Sequence, residues 1–263
     1  GSSNLPSPTE NHLALSTGWS FWQSCWSARS VEAVKKPFKQ LVTPDQAQRA
    51  IYIDFEGFEK EPPSLFGRVW AIGKKATDSN LACVQDIHDK SLQRLVGAAE
   101  IPEGSVNRYK QRPFSVGQAI NELVRLADKQ DRLIVSWSTH ENDEIEKIGL
   151  SPDLLCIFNR NYRDGKVTAI EWFKRLGLDT AKGSNTLVRY LEQAGYPLPG
   201  NYGHRETTKR LTSVLGGINN RNRGSWDRLT DKQQNKWKDL LAHNFVDCHG
   251  LRHVIKTAAK ALG

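Results

Sequence analysis

An α/β fold, with a central mixed sheet flanked by helices, is predicted by three observations. Short apolar runs bounded by turn residues cluster after Arg49, an amphipathic segment separates the third run from the fourth, and the chain beyond Thr168 is mainly helical in its periodicity. At 263 residues the chain is long enough for one good core, so the expected organisation is an extension over 1–48 and one domain over 49–263.

Taken in order, residues 1 to about 18 are rich in Ser, Pro, Thr and Asn and read as a flexible leader. The leading Gly-Ser and the lack of Met suggest trimming at the start, so the first few residues are set aside. Trp19, Trp22 and Trp26 follow at helical spacing, a stripe suited to packing on the main domain or on a protein partner. Ala50-Ile-Tyr-Ile-Asp-Phe55, Arg68-Val-Trp-Ala-Ile-Gly73 and Leu81-Ala-Cys-Val-Gln85 then predict three strands in an antiparallel meander. Val116, Ile120, Leu123, Val124 and Ala127 mark one face of a helix. Leu133-Ile-Val-Ser-Trp137 reads as a buried fourth strand, and Glu141 to Ile148 as a helix behind it. Further helices are expected over 168–176, 186–195, 228–241 and 243–262, with a turn-rich connection through 195–224.

Lys and Arg outnumber Asp and Glu by 37 to 29, a net charge of +8 that favours a polyanionic partner. The four cysteines are scattered without a C-x-x-C pair, which argues against a disulfide framework or a cysteine zinc site. No apolar run approaches the roughly 18 residues of a membrane span, so no membrane association and a cytoplasmic location are expected.

Three acidic segments carry the candidate chemistry. In the first strand, alternation puts Asp54 and Glu56 on one face and Ile53 and Phe55 on the other. Paired oxygen ligands suit Mg²⁺ or Mn²⁺, and two such ions promote phosphodiester hydrolysis. After the fourth strand, Thr139 can cap a helix whose first turn holds Glu141 and Asp143. In the last helix, the i, i+4 spacing of His243 and Asp247 places an imidazole beside a carboxylate. A histidine of near-neutral pKa could deprotonate an attacking water there.

In this order the segments resemble the DEDD exonuclease superfamily, whose first motif Asp-x-Glu is matched by Asp54-Phe-Glu56. The second motif sets an acid after an aromatic and four residues before an apolar side chain. His140, Glu141 and Ile145 satisfy that pattern, with Asp143 as the alternative acid. The third motif, His243-Asn-Phe-Val-Asp247, is similar to the Tyr-Asn-x-x-Asp of predicted RecB-type nucleases, with His in the Tyr position. Ser184-Asn-Thr-Leu-Val-Arg-Tyr-Leu looks like the Ser-Leu-x-x-Leu stretch of the same group. The resemblance spans about 49–260 and implies a ribonuclease-H-like fold with a five-stranded sheet. It implies two Mg²⁺ or Mn²⁺ ions on Asp54, Glu56, Glu141 and Asp247, His243 as the water-activating group, and 3′-5′ hydrolysis of DNA or RNA from a free end.

Arg205, Lys209, Arg210, Arg221 and Arg223 in the long connection are the candidates for holding a single-stranded phosphate backbone, with Tyr202 or Trp226 to stack on bases. The competing expectation is a catalytically inactive nucleic-acid-binding module, or a complex subunit, with the same fold.

Overall fold

The computed structural model describes residues 39–58, 61–73, 77–99, 106–181, 183–200, 202, 206–220 and 225–263. The chain divides into two compact units, Gly1–Lys35 and Lys36–Gly263, and every described residue belongs to the second. The Trp19, Trp22 and Trp26 stripe and the leader lie outside the described residues.

A short helix α1 (Pro44–Arg49), closed by a Thr43–Gln46 capping box, leads into strand β1 (Ile51–Glu56). Val42 and Ala47 are buried in the same core as the strands that follow, so the chain packs on this unit from several residues before β1. Strands β2 (Leu65–Ala71) and β3 (Leu81–Ile87) continue as the expected antiparallel meander. A fourth strand, β4 (Arg108–Pro113), runs parallel to β3 at the edge. Helix α2 (Val116–Lys129) follows, capped by Ser115 and burying the predicted face of Ile120, Leu123, Val124 and Ala127. Then come β5 (Ile134–Ser136), helices α3 (His140–Lys147) and α4 (Pro152–Asn161), β6 (Tyr162–Asp164) and helix α5 (Gly165–Arg175). Helices α6 (Leu187–Gln193), α7 (Thr207–Asn220) and α8 (Asp231–Leu262) complete the unit.

The protein is thus α/β, with a six-stranded mixed sheet in the order β4-β3-β2-β1-β5-β6. The expected count of five strands is corrected to six. β4 escapes the apolar-run criterion because Arg108-Tyr-Lys-Gln-Arg-Pro113 is an edge strand whose side chains need no burial. β6 is only three residues long. The turn-rich connection contains α7, whose apolar contribution is spread thinly over Leu211, Val214 and Ile218. The two helices expected over 228–241 and 243–262 form the single helix α8, opened by a Thr230–Gln233 capping box.

The sheet separates two apolar layers. Tyr52, Leu65 and Val69 face α5, α6, α7 and α8, whereas Ile51, Ile53 and Phe66 face α2, α3 and α4. On the α2 side the fully buried Arg68 is neutralised by Asp86 at 2.9 Å, and Arg112 and Glu122 extend this to a four-charge network. A lone buried cation would be strongly unfavourable, so each charge depends on the others.

The close approach of α8 to the sheet is set at Gly67. It pairs with Asp54 across the β1–β2 ladder, and a Cβ built there would lie 2.0 Å from Asn244 Oδ1 of α8. Asn244 cannot simply turn aside, because its amide donates to Asp54 Oδ2 at 2.9 Å and accepts from Gln85 Nε2 at 3.0 Å. Gly67→Ala should therefore destabilise the protein by about 1–3 kcal/mol, through overpacking and broken buried hydrogen bonds. Urea unfolding of the variant measures this directly, and an unchanged midpoint would contradict the packing described.

Candidate metal and active site

Asp54 and Glu56 lie at the C-terminal end of β1 on the face that α8 covers, and Glu56 is buried. Across from them α8 presents His243 and Asp247, each with 17% of its side chain exposed. His243 Nε2 lies 3.3 Å from Asp247 Oδ2 and 3.9 Å from Glu56 Oε1. Ligand atoms of Glu56, His243 and Asp247 all fall within 4.8 Å of one another, the spacing of a group able to hold a cation.

Glu141 joins them from the first turn of α3. It is buried, accepts from Ser138 Oγ at 3.3 Å, and lies close enough to raise the proton affinity of Asp54 and Glu56. Asp143 is exposed, so of the two candidate acids in this segment Glu141 is the one that faces the cluster. Thr139 precedes α3 but makes no side-chain cap; Ser138 Oγ instead accepts from the His140 amide at 3.3 Å.

Four acids from three elements gather here, Glu56 and Glu141 buried and Asp54 and Asp247 partly buried. Burial first, and then Asp247, pushes both Asp54 and Glu56 well above the usual carboxylate range. Burial raises Asp247 to about 7. Glu141 is raised mainly by burial as well. His243 moves the other way, down to about 4, from burial and then the Arg210 guanidinium. Its imidazole is therefore neutral at physiological pH, below the near-neutral pKa expected from the sequence.

Several side chains hold the acids that the sequence did not single out for that role. Asn244, fully buried, ties Asp54 to Gln85, which accepts from Tyr109 Oη at 2.7 Å. Tyr202 donates its hydroxyl to Asp247 Oδ1 and lays its ring 4.9 Å from that of His243. It is thus occupied beside the acids rather than displayed for base stacking. Thr207, at the start of α7, hydrogen-bonds Glu56. Arg210, one turn on, is buried and lowers the proton affinity of Glu56. This candidate phosphate contact therefore stands beside the acids. Lys209 is exposed and pairs with Glu206 at 3.5 Å, while Arg205, Arg221 and Arg223 lie outside the described residues. Trp226 is partly buried against the core.

Beside Glu56 a cleft of about 500 Å³ opens between Phe55, Phe58 and Pro63 and the opposing His140 and Glu144. Among the described residues no helix is long and apolar enough to cross a membrane. Comparison with family models, curated proteins and solved structures returned no match.

The elevated Asp247 fixes a sign for pH dependence. An acid raised from 3.8 to about 7 binds its proton more tightly folded than unfolded, so its contribution is present below about pH 4 and lost as pH rises through 7. In metal-free buffer, wild type should lose stability relative to Asp247→Asn between pH 4 and 7. Paired thermal melts at several pH values measure this; parallel curves would remove the case for a strained carboxyl.

Proposed function

We propose that the protein is a metal-dependent nuclease with a ribonuclease-H-like fold, similar to the DEDD exonucleases, that hydrolyses DNA or RNA from a free 3′ end. The observation that carries this reading is the group of Glu56, His243 and Asp247, whose ligand atoms lie within 4.8 Å of one another, with Asp54 on the same strand and Glu141 from α3 near enough to interact with it electrostatically. A further support is the meander of β1, β2 and β3 continued by parallel β5 and β6, with the first acid pair at the end of β1.

The residues present fit a divalent cation. Glu56 Oε1 is buried without a hydrogen-bond partner among the described residues, and the acids can all ionise together only against positive charge. A donor set of carboxylate oxygens would suit Mg²⁺ or Mn²⁺ on Asp54, Glu56, Glu141 and Asp247, with the His243 imidazole beside it. When bound, such ions would polarise the phosphoryl group and stabilise charge on the leaving oxygen.

The chain's own groups divide the remaining work. Asn244 fixes the Asp54 carboxylate, and Tyr202 fixes that of Asp247. His243 Nε2, facing both Glu56 and Asp247, would take the proton of the attacking water. The cleft lined by Phe55 and Phe58 would receive the terminal nucleotide.

Mn²⁺-dependent digestion of end-labelled single-stranded DNA and RNA tests the reading. Wild type should shorten one of them from the 3′ end, Asp54→Ala should reduce activity to background, and His243→Ala should cost roughly 10²-fold. Mn²⁺ at a hundredfold excess over its Kd should stabilise wild type by about 2.7 kcal/mol, several degrees of Tm. Stabilisation without cleavage would favour a binding module, and neither effect would overturn the site.

A further inference from the structure

Beyond the acid centre, α8 carries a second cluster of titratable groups. Asp247 and Lys256 are nine residues apart, which sets them roughly 14 Å apart along the axis and on opposite faces of the helix. On that far face an open groove is lined by Arg252, Lys256, Lys260, His249, His253 and Asp78. It lies at the other end of the sheet from Asp54, beside Leu81 at the start of β3.

The charges in this groove do not balance. Arg252, Lys256 and Lys260 repeat every four residues, so three like charges stand one above another on a single ridge. One acid opposes them: Asp78 accepts from Arg252 Nη1 at 2.5 Å and from Lys256 Nζ. Lys260, at the exposed end, has no ion-pair partner among the described residues. Arg252 is 3% exposed, yet its Nε and Nη2 lack a hydrogen-bond partner among the described residues. Asp78 keeps 63% of its side chain exposed. An exposed carboxylate on a connection is free to yield its place to a stronger anion.

The two histidines are held in place at the wall by one hydrogen bond each. Tyr196 Oη bonds His249 Nδ1 at 2.8 Å, and His253 Nε2 lies 2.9 Å from the Ala194 carbonyl. Each ring is thereby fixed in orientation, and its second nitrogen has no hydrogen-bond partner among the described residues. A guanidinium and two ammonium groups in one concavity match the tetrahedral, multiply charged oxygens of a phosphate. A planar carboxylate would use fewer of these donors.

We propose that this groove is a phosphate-binding subsite, with Arg252, Lys256 and Lys260 as its cations and Asp78 as the internal anion that a phosphate displaces. The subsite does not require the acid centre to be active. Its expected source of phosphate is the backbone of a nucleic acid that reaches past the centre, and the alternative source is free phosphate.

Anisotropy of a labelled single-stranded oligonucleotide, titrated against the full chain in EDTA over a range of salt, tests it without turnover. Lys256→Gln/Lys260→Gln should weaken binding about tenfold at low salt and lower the salt slope by about two. Lys260→Gln alone, which removes an exposed side chain and cannot plausibly unfold the protein, should lower the slope by about one. Asp78→Asn should tighten binding severalfold. If the oligonucleotide is unaffected but inorganic phosphate raises the Tm of wild type and not of the double variant, the subsite stands with free phosphate as its ligand. Wild-type slopes in both lysine variants, together with no phosphate-dependent stabilisation, would overturn it. Mn²⁺-dependent hydrolysis of a dinucleotide, too short to span to the groove, should be unchanged in the double variant. Failure of the groove and failure of the acid centre are therefore read separately.

Discussion

The contact on which the site depends is Asn244 lying in the notch left by Gly67. It joins the end of β1 to α8, and through Gln85 it joins both to β3. Tyr109 and Gln111 continue the line to the edge strand, since Gln111 Nε2 donates to Tyr109 Oη at 2.7 Å and Tyr109 donates to Gln85. A chain of polar groups thus crosses four strands beneath a helix. Buried amides are costly unless satisfied, so this arrangement admits few registers of α8 on the sheet. The register it selects brings His243 and Asp247 opposite Glu56.

The same register creates an electrostatic load. Asp54, Glu56, Glu141 and Asp247 all sit where burial disfavours ionisation, and Asp247 and Glu141 further disfavour that of Asp54 and Glu56. Arg210 and the hydrogen bonds from Asn244, Thr207 and Tyr202 relieve part of it. A fold organised for stability alone would place apolar groups there, so the retention of four acids marks a position where local consistency is given up for another purpose. The Arg68, Asp86, Arg112 and Glu122 network on the other side of the sheet is the contrast: there opposite charges alternate.

What the sequence made legible follows from how each segment buries its side chains. β1, β2, β3 and β5 are apolar enough to be read from composition, and α2 from its periodicity. The polar edge strand β4 and the three-residue β6 have too little buried surface to leave a pattern. At the site, spacing alone put Asp54 with Glu56 and His243 with Asp247. It could not find Tyr202 or Arg210, because what brings them to the acids is the path of a long connection and the packing of α7 on α8. The Asn244 link was also out of reach, since it depends on the room left by Gly67, the residue opposite Asp54 in the ladder.

The span of that link has a temporal side. Asp54 and Asn244 are 190 residues apart, so nearly the whole unit must be synthesised before the acids of β1 meet those of α8. Until then Asp54 and Glu56 remain in water as ordinary, separately ionised carboxylates. A growing chain therefore carries only fragments of the cluster, and the complete set comes into being with the last helix.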